Sequence, residues 1–174
     1  MKNPLLIILS LCFVYSNAQE FDLDKVLKIE NQNTIVIKIA SYLNKKSQYG
    51  KKIEKLNSSQ KTFLIVENLE REINNGGFIQ FYFNSSGDFS QETVKALLEI
   101  GAKKTAQIVK KANAAFKNGI VPKNRIERQN ELILIEKKAK KNWDQCDSEF
   151  YQYHDNLTKL LITYVIKNKT EFKK

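Results

Sequence analysis

From residue 57 onward, apolar side chains recur every three or four positions, the spacing that lines one face of an α-helix. Residues 57–73 open with Asn57 and Gln60 in capping-box spacing and place Phe63, Val66, Leu69 and Ile73 on one stripe. The stop follows at once, because Asn74-Asn75-Gly76-Gly77 supplies residues that tolerate the positive φ of a helix end. A short aromatic run over 78–83 leads into a loop, Asn84 to Asp88, where Asp88 is placed to cap another helix with Gln91 at its third position. That helix runs to Gly101 through Val94, Leu97, Leu98 and Ile100, and the next, from Ala102, is marked by Ala106, Val109 and Phe116. Pro122 suits a first helical turn, and the helix after it carries Ile126, Ile133 and Ala139 before ending in the basic run 137–141. A last helix follows Asp155, with Leu157, Leu160, Leu161, Tyr164 and Val165 on its apolar face.

Residues 34–43 fit two periods. Ile35, Ile37 and Ile39 alternate as in a strand, whereas Ile35, Ile39 and Leu43 fit a helix. A lone strand has nothing to pair with, so a helix is expected. The sum is an all-α, single-domain bundle of about six or seven helices, with an N-terminal helical segment over 19–56 leading into a helical domain over 57–174.

Composition agrees with one domain: 174 residues and 42% hydrophobic side chains are enough for a core. The first eighteen residues stand apart. Lys2 is a positive start, residues 5–14 form a short apolar run, and Ser16-Asn17-Ala18 has the small-x-small pattern of a cleavage site. Cleavage after Ala18 is expected, giving an exported, periplasmic or secreted chain that starts at Gln19. The run falls short of the roughly 20 residues a spanning helix needs, so no transmembrane anchor is expected in the mature chain. A lipoprotein route through Cys12 is disfavoured, because Leu11 precedes the cysteine and both lie inside the apolar run. Loss of Cys12 leaves Cys146 alone, which excludes an intramolecular disulfide and marks Cys146 as a buried small hydrophobe.

The formal charge is +10, from 29 Lys+Arg against 19 Asp+Glu, and removal of Lys2 makes it +9. It is unevenly spread. Residues 95–141 hold 13 basic and 4 acidic side chains, residues 67–92 hold five acidic and one basic, and residues 142–157 hold four acidic and none basic. Only Arg71, Arg125 and Arg128 are arginines, and Phe116 is the one aromatic residue within the basic stretch. Base readout favours arginine and single-strand binding favours stacked aromatics, so specific nucleic-acid recognition is disfavoured and the lysines read as solvated helix faces. Nonspecific attraction to polyanions or anionic surfaces is what the charge alone supports.

The most distinctive stretch is Asn74-Asn75-Gly76-Gly77-Phe78-Ile79-Gln80-Phe81-Tyr82-Phe83-Asn84. With residues 67–73 before it and Ala96 to Ala102 after it, it resembles the signature of a bacterial family of all-α domains named for a DNA-mimic protein, whose C-terminal domain it describes. The resemblance covers roughly residues 57–172; Trp143 to Phe150 and Asn168 to Phe172 are similar to the family's closing helices. It implies a protein-binding module that presents carboxylates in place of DNA phosphates. The charge opposes that role here, since a phosphate mimic must be strongly acidic. What the resemblance leaves is the scaffold and a partner-binding or homodimerising role.

On the residues themselves, a helix starting at Gly77 puts Phe78, Phe81 and Tyr82 on one face and Gln80 and Asn84, one turn apart, on another. Two readings stay open: Gln80 and Asn84 satisfy buried backbone groups, or they join Asn75, Gly76 and Gly77 in a pocket for an unidentified protein or small ligand, with Glu67, Glu70 and Trp143 at its rim. Catalytic constellations are scarce. His154 is the only histidine, which excludes a multi-histidine metal site and leaves Cys146 as its only thiol partner. Glu67 with Glu70, and Asp144 with Asp147, could act as carboxylate pairs in a small periplasmic hydrolase or metal-dependent enzyme. No cofactor or metal is called for, and the expected function is a non-enzymatic binding module.

Overall fold

The computed structural model describes residues 21–173, so the expected leader, its cleavage site and Cys12 lie outside the described residues. Among the described residues there are eight α-helices and no strand. They are α1 (Leu23–Val26), α2 (Gln32–Lys46), α3 (Ser58–Phe83), α4 (Ser90–Ile100), α5 (Lys103–Asn113), α6 (Arg125–Phe150), α7 (Leu157–Lys167) and α8 (Lys169–Phe172), with 3₁₀ turns at Ile53–Lys55, Ser85–Phe89 and Lys117–Gly119. The ambiguous N-terminal stretch is helical: Ile35, Ile39 and Leu43 are buried in α2 while Ile37 is 64% exposed, as a helical period requires. Asn31 caps it by accepting the Thr34 N–H at 3.0 Å. None of the described helices is long and apolar enough to cross a membrane.

α3 is the central element and packs chiefly against α6 and α4. Its N-terminus carries the expected capping box between Asn57 and Gln60. Gly76 and Gly77 leave helical geometry and bend it into two helical pieces, after which Phe78, Phe81 and Tyr82 enter the core with Phe116, Trp143 and Phe150. The two buried ring dipoles find partners. Tyr82 donates to Asn113 Oδ1 at 2.7 Å, and Trp143 Nε1 donates to the Ala112 carbonyl at 3.1 Å.

Four expectations need correction. Asp88 does not cap α4, whose start has no side-chain cap; the carboxylate is drawn instead to Arg128. α5 ends at Asn113, so Phe116 reaches the core from the following turn. Pro122 precedes α6 rather than opening it, because Asn124 caps the helix by accepting the Ile126 and Glu127 N–H groups. α6 does not stop at the lysine run: it continues unbroken to Phe150 and buries Arg128, Leu132, Ala139, Trp143, Cys146 and Phe150, whereas Ile126 and Ile133 point outward.

The first and last helices are clasped together. Asp24 of α1 pairs with Lys169 and Lys173, and the hydrogen bonds from Lys169 and then Lys173 pull its carboxyl down to about 2. Close by, the side-chain amides of Asn57 and Gln60 both donate to the Glu171 carbonyl, at 2.8 and 2.7 Å. α2 completes that end by packing on α7 and α3.

Candidate functional site

The break in α3 frees backbone groups that a continuous helix would pair, and the end of α6 takes them up. Asp147 Oδ1 accepts the Phe78 N–H at 2.8 Å, Tyr151 donates its hydroxyl to the Ile73 carbonyl at 2.8 Å, and Asn74 bonds reciprocally with the Tyr153 hydroxyl. Gly77 has φ +71°, and a Cβ there would collide with the Asp147 carboxylate, so the position needs glycine for both backbone and space. A Cβ on Gly76 would press on the Gln80 side chain. Asn75 and Gly76 lie exposed at the bend, and Gly77 is buried.

The bend turns Gln80 and Asn84 back toward the first half of α3, where both converge on Glu72. Gln80 Nε2 and Asn84 Nδ2 donate to Glu72 Oε2 at 2.9 and 2.7 Å, and Ser86 Oγ donates to Oε1 at 3.1 Å. The Arg71 guanidinium lies 3.5 Å away. Burial would push the Glu72 carboxyl up, but the bonds from Gln80 and Asn84, with Arg71 and Ser86, outweigh it and hold the group below the ordinary glutamate range. The side-chain amides of Gln80 and Asn84 thus donate to a carboxylate and not to the backbone groups expected of them.

Asn84 links this cluster, through its carbonyl, to a fully buried arginine with every donor in use. Arg128 Nε donates to the Tyr82 carbonyl at 2.6 Å, Nη1 to the carbonyls of Pro122 and Lys123, and Nη2 to the Asn84 carbonyl and to Asp88 Oδ1 at 2.6 Å. Five N–H groups meet five acceptors, the full capacity of the guanidinium. Gly87 makes room for it, since a Cβ there would lie 2.7 Å from Arg128 Nε and 2.8 Å from the Phe81 carbonyl. Arg125 and Gln129 add donors to the Phe83 carbonyl. The first turn of α6 thus caps the C-terminus of α3. Sequence reasoning missed Arg128 and the role of Glu72. A signal existed, because Arg128 falls in phase with Leu132 and Ala139 on the face that α6 buries.

Glu72, Arg71, Asn84, Ser86 and Asp88 form the floor of a cleft of about 840 Å³. Tyr49, Lys51 and Ile53 of the α2–α3 connection, with Phe89 and Arg125, complete its lining. The lining carboxylates Glu72 and Asp88 are already paired, so the remaining charges of the lining are cationic, from Lys51 and Arg125. Such a cleft can receive an anionic or amide-bearing group, held by lysine and arginine against an aromatic wall.

The other candidates lie elsewhere. Trp143 is completely buried and lies on no rim. Glu67 is mostly buried, with Arg71 Nε 3.9 Å away and its Oε2 atom without a hydrogen-bond partner; burial pushes its carboxyl up, against the pull of Arg71. Burial also raises Glu70, opposed by the Tyr153 hydroxyl and reinforced by Glu67. Glu70 and Tyr153 border a separate hollow of about 260 Å³. Asp144 pairs with Lys140 on the surface while Asp147 caps Phe78, so the two do different work. Cys146 is buried, its thiol pushed up to about 11 by desolvation, and His154 is exposed near Glu149. Among the described residues no group of three His, Cys, Asp or Glu side chains is placed to hold a metal ion.

The family model described as DMP19-like protein matches residues 54–168, from the turn before α3 to the end of α7. The chain belongs to the DMP19-like protein family. Its matched part is therefore a DNA-mimic-type domain, and the family segment contains the break, the Glu72 cluster and the Arg128 clamp. α1, α2 and α8 of this DMP19-like chain fall outside the match, although α2 supplies part of the core. No curated protein and no solved structure matches the chain.

Proposed function

We propose that this DMP19-like protein is an exported, non-enzymatic binding module that receives a protein or ligand through the cleft between the α2–α3 connection and the end of α3, and that it is not itself a DNA mimic. The observation that carries the reading is where the cleft's charges go: the carboxylates of its lining are consumed by internal donors, while Lys51 and Arg125 remain exposed in it. A phosphate mimic needs the opposite, rows of free carboxylates facing a basic partner. Elsewhere in the domain, Asp147 and Asp155 accept backbone N–H groups, Glu131 accepts the Lys117 N–H, and Glu99 accepts the hydroxyls of Thr62 and Tyr164. Lysines dominate what remains outward.

Affinity capture of the tagged protein from its own cells, followed by the double charge reversal Lys51→Glu and Arg125→Glu, tests the reading. Both side chains are exposed, so folding is expected to survive. Loss of the captured partner with an unchanged melting curve supports the cleft. Retention of the partner by the folded double variant refutes it. The mass of the mature chain tests export separately: removal of residues 1–18 is the expected result.

A further inference from the structure

α6 has a second face that neither the core nor the cleft uses. Ile126 and Ile133 are each 69% exposed and Leu134 is 83% exposed, on a helix whose buried side carries Arg128, Leu132 and Ala139. At 3.6 residues per turn, Ile126 and Ile133 lie two turns apart on one flank of the outward side, Leu134 lies on the other, and the exposed Asn130 falls between them. Lys137 and Lys141 continue the same stripe at four-residue intervals, and Lys138 lies beside Leu134; all are exposed. The nearest carboxylates compensate little. Asp144 is taken by Lys140 and Glu131 by the Lys117 N–H, which leaves Glu127 and Glu136 on the flanks.

A solvated helix face carries charged and polar groups, so three large exposed aliphatic side chains within two turns, followed by lysines along the same side, form a patch suited to a lipid interface. We propose that the outward face of α6 docks the protein on an anionic bilayer surface, with Ile126, Ile133 and Leu134 entering the boundary between headgroups and acyl chains and Lys137, Lys138 and Lys141 at the level of the lipid phosphates. Charge complementarity selects the lipid, because Lys137, Lys138 and Lys141 are exposed on this side of α6 with only Glu127 and Glu136 beside them. The outward ridge favours a bilayer over a nucleic acid, which would meet the lysines and leave the aliphatic side chains in water. It also differs from the cleft, so the two sites fail independently.

The test is co-sedimentation of the mature full-length protein with vesicles of phosphatidylglycerol mixed with phosphatidylcholine, and with vesicles of phosphatidylcholine alone. Binding to the anionic vesicles and not to the neutral ones is expected, weakened but retained when salt rises from about 0.1 M to about 0.5 M. The double variant Ile133→Ser with Leu134→Ser should keep its melting temperature, since both side chains are exposed, yet lose about tenfold or more in vesicle affinity. Its binding to soluble heparin should not change. Lys137→Glu with Lys141→Glu should abolish vesicle binding. The proposal is overturned if the serine variant binds anionic vesicles as well as the natural protein, for then only charge is at work. It is overturned equally if the natural protein ignores the vesicles, including the case in which sizing shows a dimer that the serine variant splits, which would make the ridge a contact between two copies.

Discussion

Glu67 and Glu72 stand five residues apart on the same helix, both withdrawn from water, and their carboxyl groups respond in opposite directions. Glu72 sits among Gln80, Asn84, Ser86 and Arg71, and its carboxyl is held below the ordinary range. Glu67 has Arg71 at the limit of ion-pair distance and one oxygen with no donor, and its carboxyl is raised. Burial pushes both the same way, so the number of donors decides the sign. The donors around Glu72 come from beyond the Gly76–Gly77 break, which is why a bend in the backbone becomes an electrostatic device.

If saturation is what makes a buried charge tolerable, the most saturated group should be the costliest to remove. Arg128→Leu leaves four carbonyls and the Asp88 carboxylate without their donors, and a loss of about 3–5 kcal/mol is expected in denaturant unfolding. A loss below about 1 kcal/mol would mean that water reaches those carbonyls and that the clamp is ornamental. Glu72→Leu strands three donors and should cost about 3 kcal/mol, read the same way. Gly77→Ala attacks the bend itself: a side chain at φ +71° that meets Asp147, the acceptor of the Phe78 N–H, should cost about 2 kcal/mol in denaturant unfolding.

The smallest effect sharpens the contrast most directly. Glu67, with its raised carboxyl, contributes stability that is fully present below the unfolded-state value and is lost as pH rises through the folded one. Glu72, with its lowered carboxyl, contributes stability present above the unfolded-state value and lost as pH falls through the folded one. Glu67→Gln should therefore raise the melting temperature slightly at about pH 7 and leave it unchanged at about pH 4. An equal change at both values would show that Glu67 is not buried as a charge.

Much of α3 was legible. The Asn57–Gln60 box, the stripe through Ile73, the stop at Asn74 to Gly77 and the aromatic core beyond it are all local patterns, and local patterns survive folding. α6 was not. Its buried face mixes Arg128, Ala139 and Cys146 with Leu132, Trp143 and Phe150, while Ile126 and Ile133 point outward, so the two isoleucines that marked the helix lie off the face it buries. Gln80 and Asn84 could be seen to share a face, but their target could not, because Glu72 reaches them only after the bend has redirected the chain. Asp88 shows the same limit. Its position suits a cap, and a guanidinium forty residues away in sequence outcompetes the backbone for it.

The clasp between the first and last helices bears on the order of synthesis. Asp24 finds Lys173 across a separation of 149 residues, and Asn57 and Gln60 bond to a carbonyl at Glu171. A chain that emerges from the ribosome N-terminus first cannot close this end of the bundle until residues 169–173 have appeared. Until then α1 and the start of α3 lack the partners that lock them, and the helix Lys169–Phe172 acts as the latch of this end of the bundle.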